Sequence, residues 1–262
     1  MGAVCSLDRR LPVPPGSKQH EAFMKLLLAC ALASALLAQD GYKPPTGPTP
    51  RTSSGKVDFS GLWLKPYAPD MTKDGKDHKA MPELPFTPRG LADWKSYDAA
   101  EGDYTGACLP FGLSRSINTP EPMQIVQSEM YLTILFEQNN WYNVVPLDGR
   151  KHREIDPTWF GDSVGHWEKD TLVIDTVNFN GKTRLDTVGH PHSDELHMIQ
   201  RFSRPDLGHI SWQVTIDDPK TYTRPWTNTR TFTLHPEWEM MEYSCEENNK
   251  SLWEGRIKPP KR

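Results

Sequence analysis

From Met123 onward, apolar and polar residues alternate with a period of two, in short runs separated by turn-forming residues. Such alternation marks strands with one buried face. MQIVQ, YLTILFE and WYNVVPL come first. SVGHW turns through Glu168-Lys169-Asp170 into TLVIDTVNF, and ELHMIQRFSR through Pro205-Asp206-Leu207-Gly208 into HISWQVTIDD. WTNTRTFTL turns through His235-Pro236-Glu237 into WEMMEYSCE. With DFSGLWL at 58–64, about ten strands are predicted, nearly all joined by hairpin-length turns. Helices do not alternate with them, so a parallel sheet is disfavoured. A long open meander leaves two exposed edges, which closure removes. The expected fold is all-β, an antiparallel up-and-down barrel or a strongly curled sandwich. No fixed-period repeat points to a propeller.

The rest of the chain reads differently. Residues 39–57 are Pro, Gly, Ser and Thr with little to bury, the composition of a disordered linker. A single barrel domain is expected over 58–255, with a tail at 256–262. Residues 65–122 form an irregular, Pro-rich insertion with one predicted helix from Pro88 to Ala99. Thr87 can cap that helix, and Pro88 suits its first position, where no N–H is needed. Leu91 and Trp94 share its apolar face, with Tyr97 alongside.

The N-terminus reads as an address. Met24-Lys25 precedes LLLACALASALLA, a lone positive charge followed by a short apolar stretch and small residues near Ala38. That is the pattern of a secretory signal. Residues 1–38 are therefore expected to be removed, with Met24 as the true start and the mature chain beginning near Gln39. Cys30 lies too close to Lys25 for a lipid-anchoring signal, so an exported, unanchored protein is expected, periplasmic or extracellular.

Composition then narrows the class. The 262 residues carry a net charge of −4, with 24 Pro and 9 Trp. Mild acidity argues against a nucleic-acid surface. No apolar run is long enough to span a membrane. Oligomeric state is left open. Outside the signal the cysteines are Cys108 and Cys245, which in an exported chain most simply form one disulfide. It would tie the segment before the first long hairpin to the last strand. Cysteine-based metal spacings are absent.

Period two also assigns faces. Ile210, Trp212, Val214 and Ile216 share one side; Leu196, Met198, Gln200 and Phe202 share another. On 226–234, Trp226, Asn228, Arg230, Phe232 and Leu234 lie opposite Thr227, Thr229, Thr231 and Thr233. A charge at Arg230 on an apolar face needs a partner, a wet cavity, or a place at the barrel mouth. Arg230, Asn228, Gln200 and Trp63 are therefore candidate ligand-binding residues.

Candidate chemistry gathers at Gly189-His190-Pro191-His192-Ser193-Asp194-Glu195-Leu196-His197. Imidazoles beside carboxylates can run acid–base chemistry or hold a metal, and an exposed polar turn has the same composition. As catalysts, His192 would be the general acid or base, oriented by Asp194 or a rim carboxylate such as Asp217 or Asp218, with His197 assisting. As metal ligands, His190 and His192 are the candidates. No cofactor is required by the sequence, and a divalent metal is compatible with it. Gly161-Asp162-Ser163-Val164-Gly165 fits G-x-S-x-G, but a nucleophile elbow needs a strand before Ser163 and a helix after it, and a hairpin follows. If Asp175 is buried, it needs a partner such as Arg184 or Arg201.

Gly61-Leu62-Trp63 on the first strand resembles the G-x-W signature of lipocalin and calycin barrels. That resemblance implies a Trp closing the barrel base under a basic residue from near the C-terminus, a role Arg256 could fill. The segments DFSGLW, CLPFGLSR, EIDPTWFGDSVGHWEKDTLVIDTVNFN, GHPHSDELHMIQRF and TIDDPKTYTRPW resemble a family of exported proteins of soil bacteria. This resemblance implies export and a β-rich fold, and brings no catalytic residues with it. Two functions are expected from these readings: a secreted barrel that binds a small apolar or amphipathic molecule, or an exported hydrolase, lyase or isomerase with His–Asp chemistry at the barrel mouth.

Overall fold

Nine strands form where the alternation predicts them: β1 (Gly61–Leu64), β2 (Met123–Gln127), β3 (Tyr131–Phe136), β4 (Tyr142–Pro146), β5 (Asp162–Glu168), β6 (Thr171–Val177), β7 (His197–Ser203), β8 (His209–Asp217) and β9 (Trp226–Leu234). The computed structural model describes residues 42–73, 83–99, 103–247 and 249–256. The expected signal segment, its start at Met24 and most of the 256–262 tail lie outside these.

All pairings are antiparallel, in the order β4-β3-β2-β1-β9-β8-β7-β6-β5. The result is a nearly closed barrel. Its seam lies between β4 and β5, which touch through side chains without a main-chain ladder. Asn143 Nδ2 donates to Ser163 Oγ across it (3.2 Å). We call the end where β9 starts and β8 finishes the mouth, and the opposite end, where Trp63 pairs with Leu234, the base.

Burial follows the period-two assignment. Ile210, Trp212, Val214 and Ile216 are fully buried, as are Met198, Gln200 and Phe202, while the Thr face of β9 is at least partly solvated. Phe202, Phe232 and Trp212 stack inside the barrel. Burial of this many large apolar side chains, each contributing about 1.5–3 kcal/mol, is the main stabilising term. The barrel is filled with side chains.

Three expectations need correction. The tenth strand, WEMMEYSCE, does not form; β9 ends at Leu234 and the chain continues irregularly. β9 is already bonded to β8 and β1, so it has no free edge to offer. Trp238, Met241 and Tyr243 are exposed, so the alternation there buries nothing. Second, the compact unit begins at Pro44, so most of the expected linker belongs to it. Leu207 N–H donates to Gly47 O (3.0 Å), Arg51 pairs with Asp170 (2.8 Å), and Val57 is buried. Backbone bonds and one hydrophobic side chain hold what composition alone leaves loose. Third, the basic residue over Trp63 is Arg204, 4.8 Å from the ring centre. Arg256 is exposed and pairs with Glu254.

The disulfide Cys108–Cys245 is present, with Cα atoms 5.5 Å apart. Cys245 sits in a turn, since the strand expected there is missing. In the insertion, α1 (Pro88–Ser96) starts as predicted: Thr87 Oγ1 accepts from Gly90 N–H (3.0 Å), with Pro88 in the first turn. Gly90 is required because a Cβ there would collide with the main chain of Thr221. A second short helix, α2 (Leu113–Ile117), is wholly buried.

Candidate functional site at the barrel mouth

The loop from 183 to 193 folds back on itself. Leu185 N–H donates to His190 O (2.8 Å), and Arg184 bridges Pro191. Its neighbours hold it from outside: Ser114 Oγ–H donates to Leu185 O (2.8 Å) and Tyr222 O–H to Pro191 O (2.9 Å). Gly189 has φ 86° and faces the Tyr97 ring, so no side chain fits there.

This fold places His190 on Asp186. Nδ1 of His190 lies 2.5 Å from Asp186 Oδ2, and both residues are buried. The carboxylate is fixed by two further donors, Met71 N–H (2.8 Å) and His190 N–H (3.1 Å). A carboxylate only accepts, so the proton between them sits on Nδ1, and in the neutral ring the lone pair is on Nε2. Nε2 makes no hydrogen bond among the described residues. The imidazole stacks on Trp94, with ring centres 5.0 Å apart, and Phe86 lies 6.3 Å away. The helix α1 thus supplies Trp94 to one face of the dyad. Tyr222 joins the same aromatic group against Phe86, and burial raises its hydroxyl pKa well above the usual value.

Met71 links this dyad to the barrel interior. Its carbonyl accepts from Asn228 Nδ2 and from Arg230 Nη2 (3.4 Å). Arg230 also donates to Asn228 Oδ1 and to Thr229 O (2.9 Å). Asn228 and Arg230 therefore meet the insertion, which plugs the mouth above them. Gln200 Oε1 accepts from Trp212 Nε1–H (3.0 Å), and Trp63 Nε1–H donates to Phe59 O (3.0 Å). The four expected ligand residues are buried, and Trp63 lies at the base, so they do not form one site.

The expected catalytic set is also dispersed. His192 uses both nitrogens internally: Nε2 meets Thr183 Oγ1 (2.6 Å) and Nδ1 meets Ser193 O (2.9 Å). Burial lowers its pKa, consistent with a neutral ring locking two loop segments. Asp194 is exposed and pairs with Lys220 (2.8 Å) rather than with His192. His197 lies on the outer barrel face, its Nε2 2.9 Å from Asp175 Oδ1. Asp175 is one-third exposed and binds His152 as well, in place of the arginines expected. Asp218 does join the two rim loops, accepting from Ser193 N–H and Oγ–H (2.7 Å for the latter) and capping its own turn. Ser163, on β5, bonds Thr176 of β6 and Asn143 of β4, and among the described residues no histidine hydrogen-bonds it.

Asp186 is the residue that pattern reading missed. It sits four residues before His190, a loop spacing with no signature of its own. Asp70 adds a third group: ligand atoms of Asp70, Asp186 and His190 lie within 4.8 Å of one another. Two carboxylates and an imidazole suit a divalent cation. His190 and His192 do not form the expected pair, because His192 Nε2 is taken by Thr183.

Compared with known proteins, the chain matches no family model and no curated protein. The described residues include no helix long and apolar enough to cross a membrane.

Proposed function

We propose that this is an exported β-barrel enzyme that runs acid–base chemistry at its mouth. His190 transfers the proton through Nε2, and Asp186 orients the ring and fixes its tautomer. The observation that carries this reading is the 2.5 Å contact between two buried groups whose carboxylate is held by two main-chain donors. A carboxylate–imidazole pair of this kind holds one ring nitrogen so that the other meets substrate. Among the described residues no serine, threonine or cysteine bonds His190, so direct proton transfer fits better than covalent catalysis, as in a lyase, an isomerase or a hydrolase that activates water. The aromatic surround of Phe86, Trp94 and Tyr222 favours a substrate with an apolar or planar body.

Carbethoxylation with diethylpyrocarbonate, mapped by mass spectrometry, tests the reading. His190 should react at Nε2, and Asp186→Asn should change its rate at least tenfold. An unreactive His190 in the folded protein would sink the proposal. A second reading rests on the proximity of Asp70: a divalent cation could replace the shared proton. Native mass spectrometry of protein purified without chelators would then show a metal-sized excess that Asp70→Asn removes.

A further inference from the structure

A groove of about 560 Å³ runs along the outside of the barrel near its base. Five segments wall it: the strap around Pro50, the start of β1, Gln124 of β2, the β7–β8 turn and the chain after β9. Its volume suits a small organic molecule, since ligand pockets run from roughly 300 to 1,000 Å³. Leu62, Leu207, Leu234 and Trp238 give it apolar walls. Arg204 gives it a charge.

Arg204 is the buried cation that lines this groove. It is 5% exposed, lies over the Trp63 ring, and donates only to main-chain carbonyls, those of Asp58 and Leu207. Among the described residues no carboxylate pairs with it, and its buried Nε has no hydrogen-bond partner. By contrast, buried Arg115 is gripped by Asp103 at 2.8 Å. Asp58 also lines the groove, but its Oδ1 accepts from Ser60 N–H (2.8 Å). Burial pulls the Arg204 pKa below its usual value, against the more distant charges of Asp58 and Asp206. A buried guanidinium without a counter-ion is costly, and a ligand carboxylate would relieve that cost with a bidentate, charge-assisted contact.

We infer that this groove binds a small amphipathic carboxylate, its anionic group on Arg204 and its apolar body along Leu62, Leu207 and Trp238. The inference is independent of the mouth chemistry. It moves the ligand from the filled barrel interior to the barrel's outer wall.

Octanoate, 1-octanol and octylammonium, titrated separately into the full-length chain, provide the test. Isothermal titration and the fluorescence of half-exposed Trp238 both report occupancy. Octanoate should bind at least tenfold more tightly than the alcohol or the ammonium. Arg204→Gln should weaken octanoate at least tenfold and leave 1-octanol unchanged. Gln124→Trp fills the groove from the outer face of β2 and should abolish octanoate binding without lowering Tm; it decides the matter even if the Arg204 variant folds poorly. Equal affinity for the three probes, no saturable binding, or full binding by Gln124→Trp would each overturn the inference.

Discussion

The two ends of the barrel are closed by different means. At the mouth, irregular chain from the insertion lies over the strand ends, and its polar groups satisfy one another: Asp186 takes three donors, Met71 O takes two, and both His192 nitrogens are used. Within the dyad, the atom left without a hydrogen bond among the described residues is His190 Nε2. At the base, a single arginine lies on a tryptophan with no acid to pair with. What remains open there is a positive charge. A firmly held carboxylate–imidazole pair with one ring nitrogen left over suits proton transfer, whereas an uncompensated cation beside an apolar groove suits the capture of an anion.

Changes at the two ends should therefore have different effects. The largest is expected from Cys108→Ser with Cys245→Ser, which frees a 137-residue separation. Loop-closure reasoning gives a loss of about 3–5 kcal/mol. Hydrogen exchange should quicken at 103–117, beside the mouth, and stay slow at the 203–209 turn. Uniform acceleration would mean that the two ends are not separately held.

Next comes Asp186→Ala. It strands the main-chain N–H groups of Met71 and His190, at about 3 kcal/mol by urea denaturation. His192→Ala should cost about 2 kcal/mol, because the ring is a structural lock. A loss under about 0.5 kcal/mol would return His192 to the list of functional candidates.

Lys65, buried where β1 ends, predicts a pH dependence. Burial pulls its pKa from 10.5 to about 7, against the nearby charges of Glu121 and Glu137. Between those values the unfolded chain binds more protons than the folded one, so stability rises with pH. The rise from pH 7 to pH 9 should be on the order of 2 kcal/mol, and Lys65→Met should lack it. Parallel profiles for the two proteins would contradict this.

The smallest effect belongs to the base. Arg204→Met removes a charge that has no acidic partner, and should change stability by about 1 kcal/mol or less. A loss as large as that of Asp186→Ala would show that the two ends are held in the same way.

The strands were legible because period two reports burial on a filled barrel. Ile210, Trp212, Val214 and Ile216 needed no other information. Cys108–Cys245 was legible because only one pairing was available. WEMMEY misled because alternation cannot tell whether an edge is vacant, and β1 had already taken the edge beside β9. Within the cluster 190–197, His190 meets Asp186, while His192 and His197 go to other partners. Loop geometry decides which nitrogen meets which partner, and that depends on Met71, Thr183 and Asp186, whose positions carry no period. Arg204 was hidden for a similar reason: its place over Trp63 arises from β1 and the β7–β8 turn meeting at the base.

The central claim is that Asp186 holds the proton on His190 Nδ1 and leaves Nε2 open. The ¹⁵N shifts of the His190 ring, read in uniformly labelled protein near neutral pH, test it directly. The expected result is the Nδ1–H tautomer, with an unprotonated Nε2 that changes in Asp186→Asn. An Nε2–H tautomer, or a ring whose shifts are indifferent to Asp186→Asn, would contradict it.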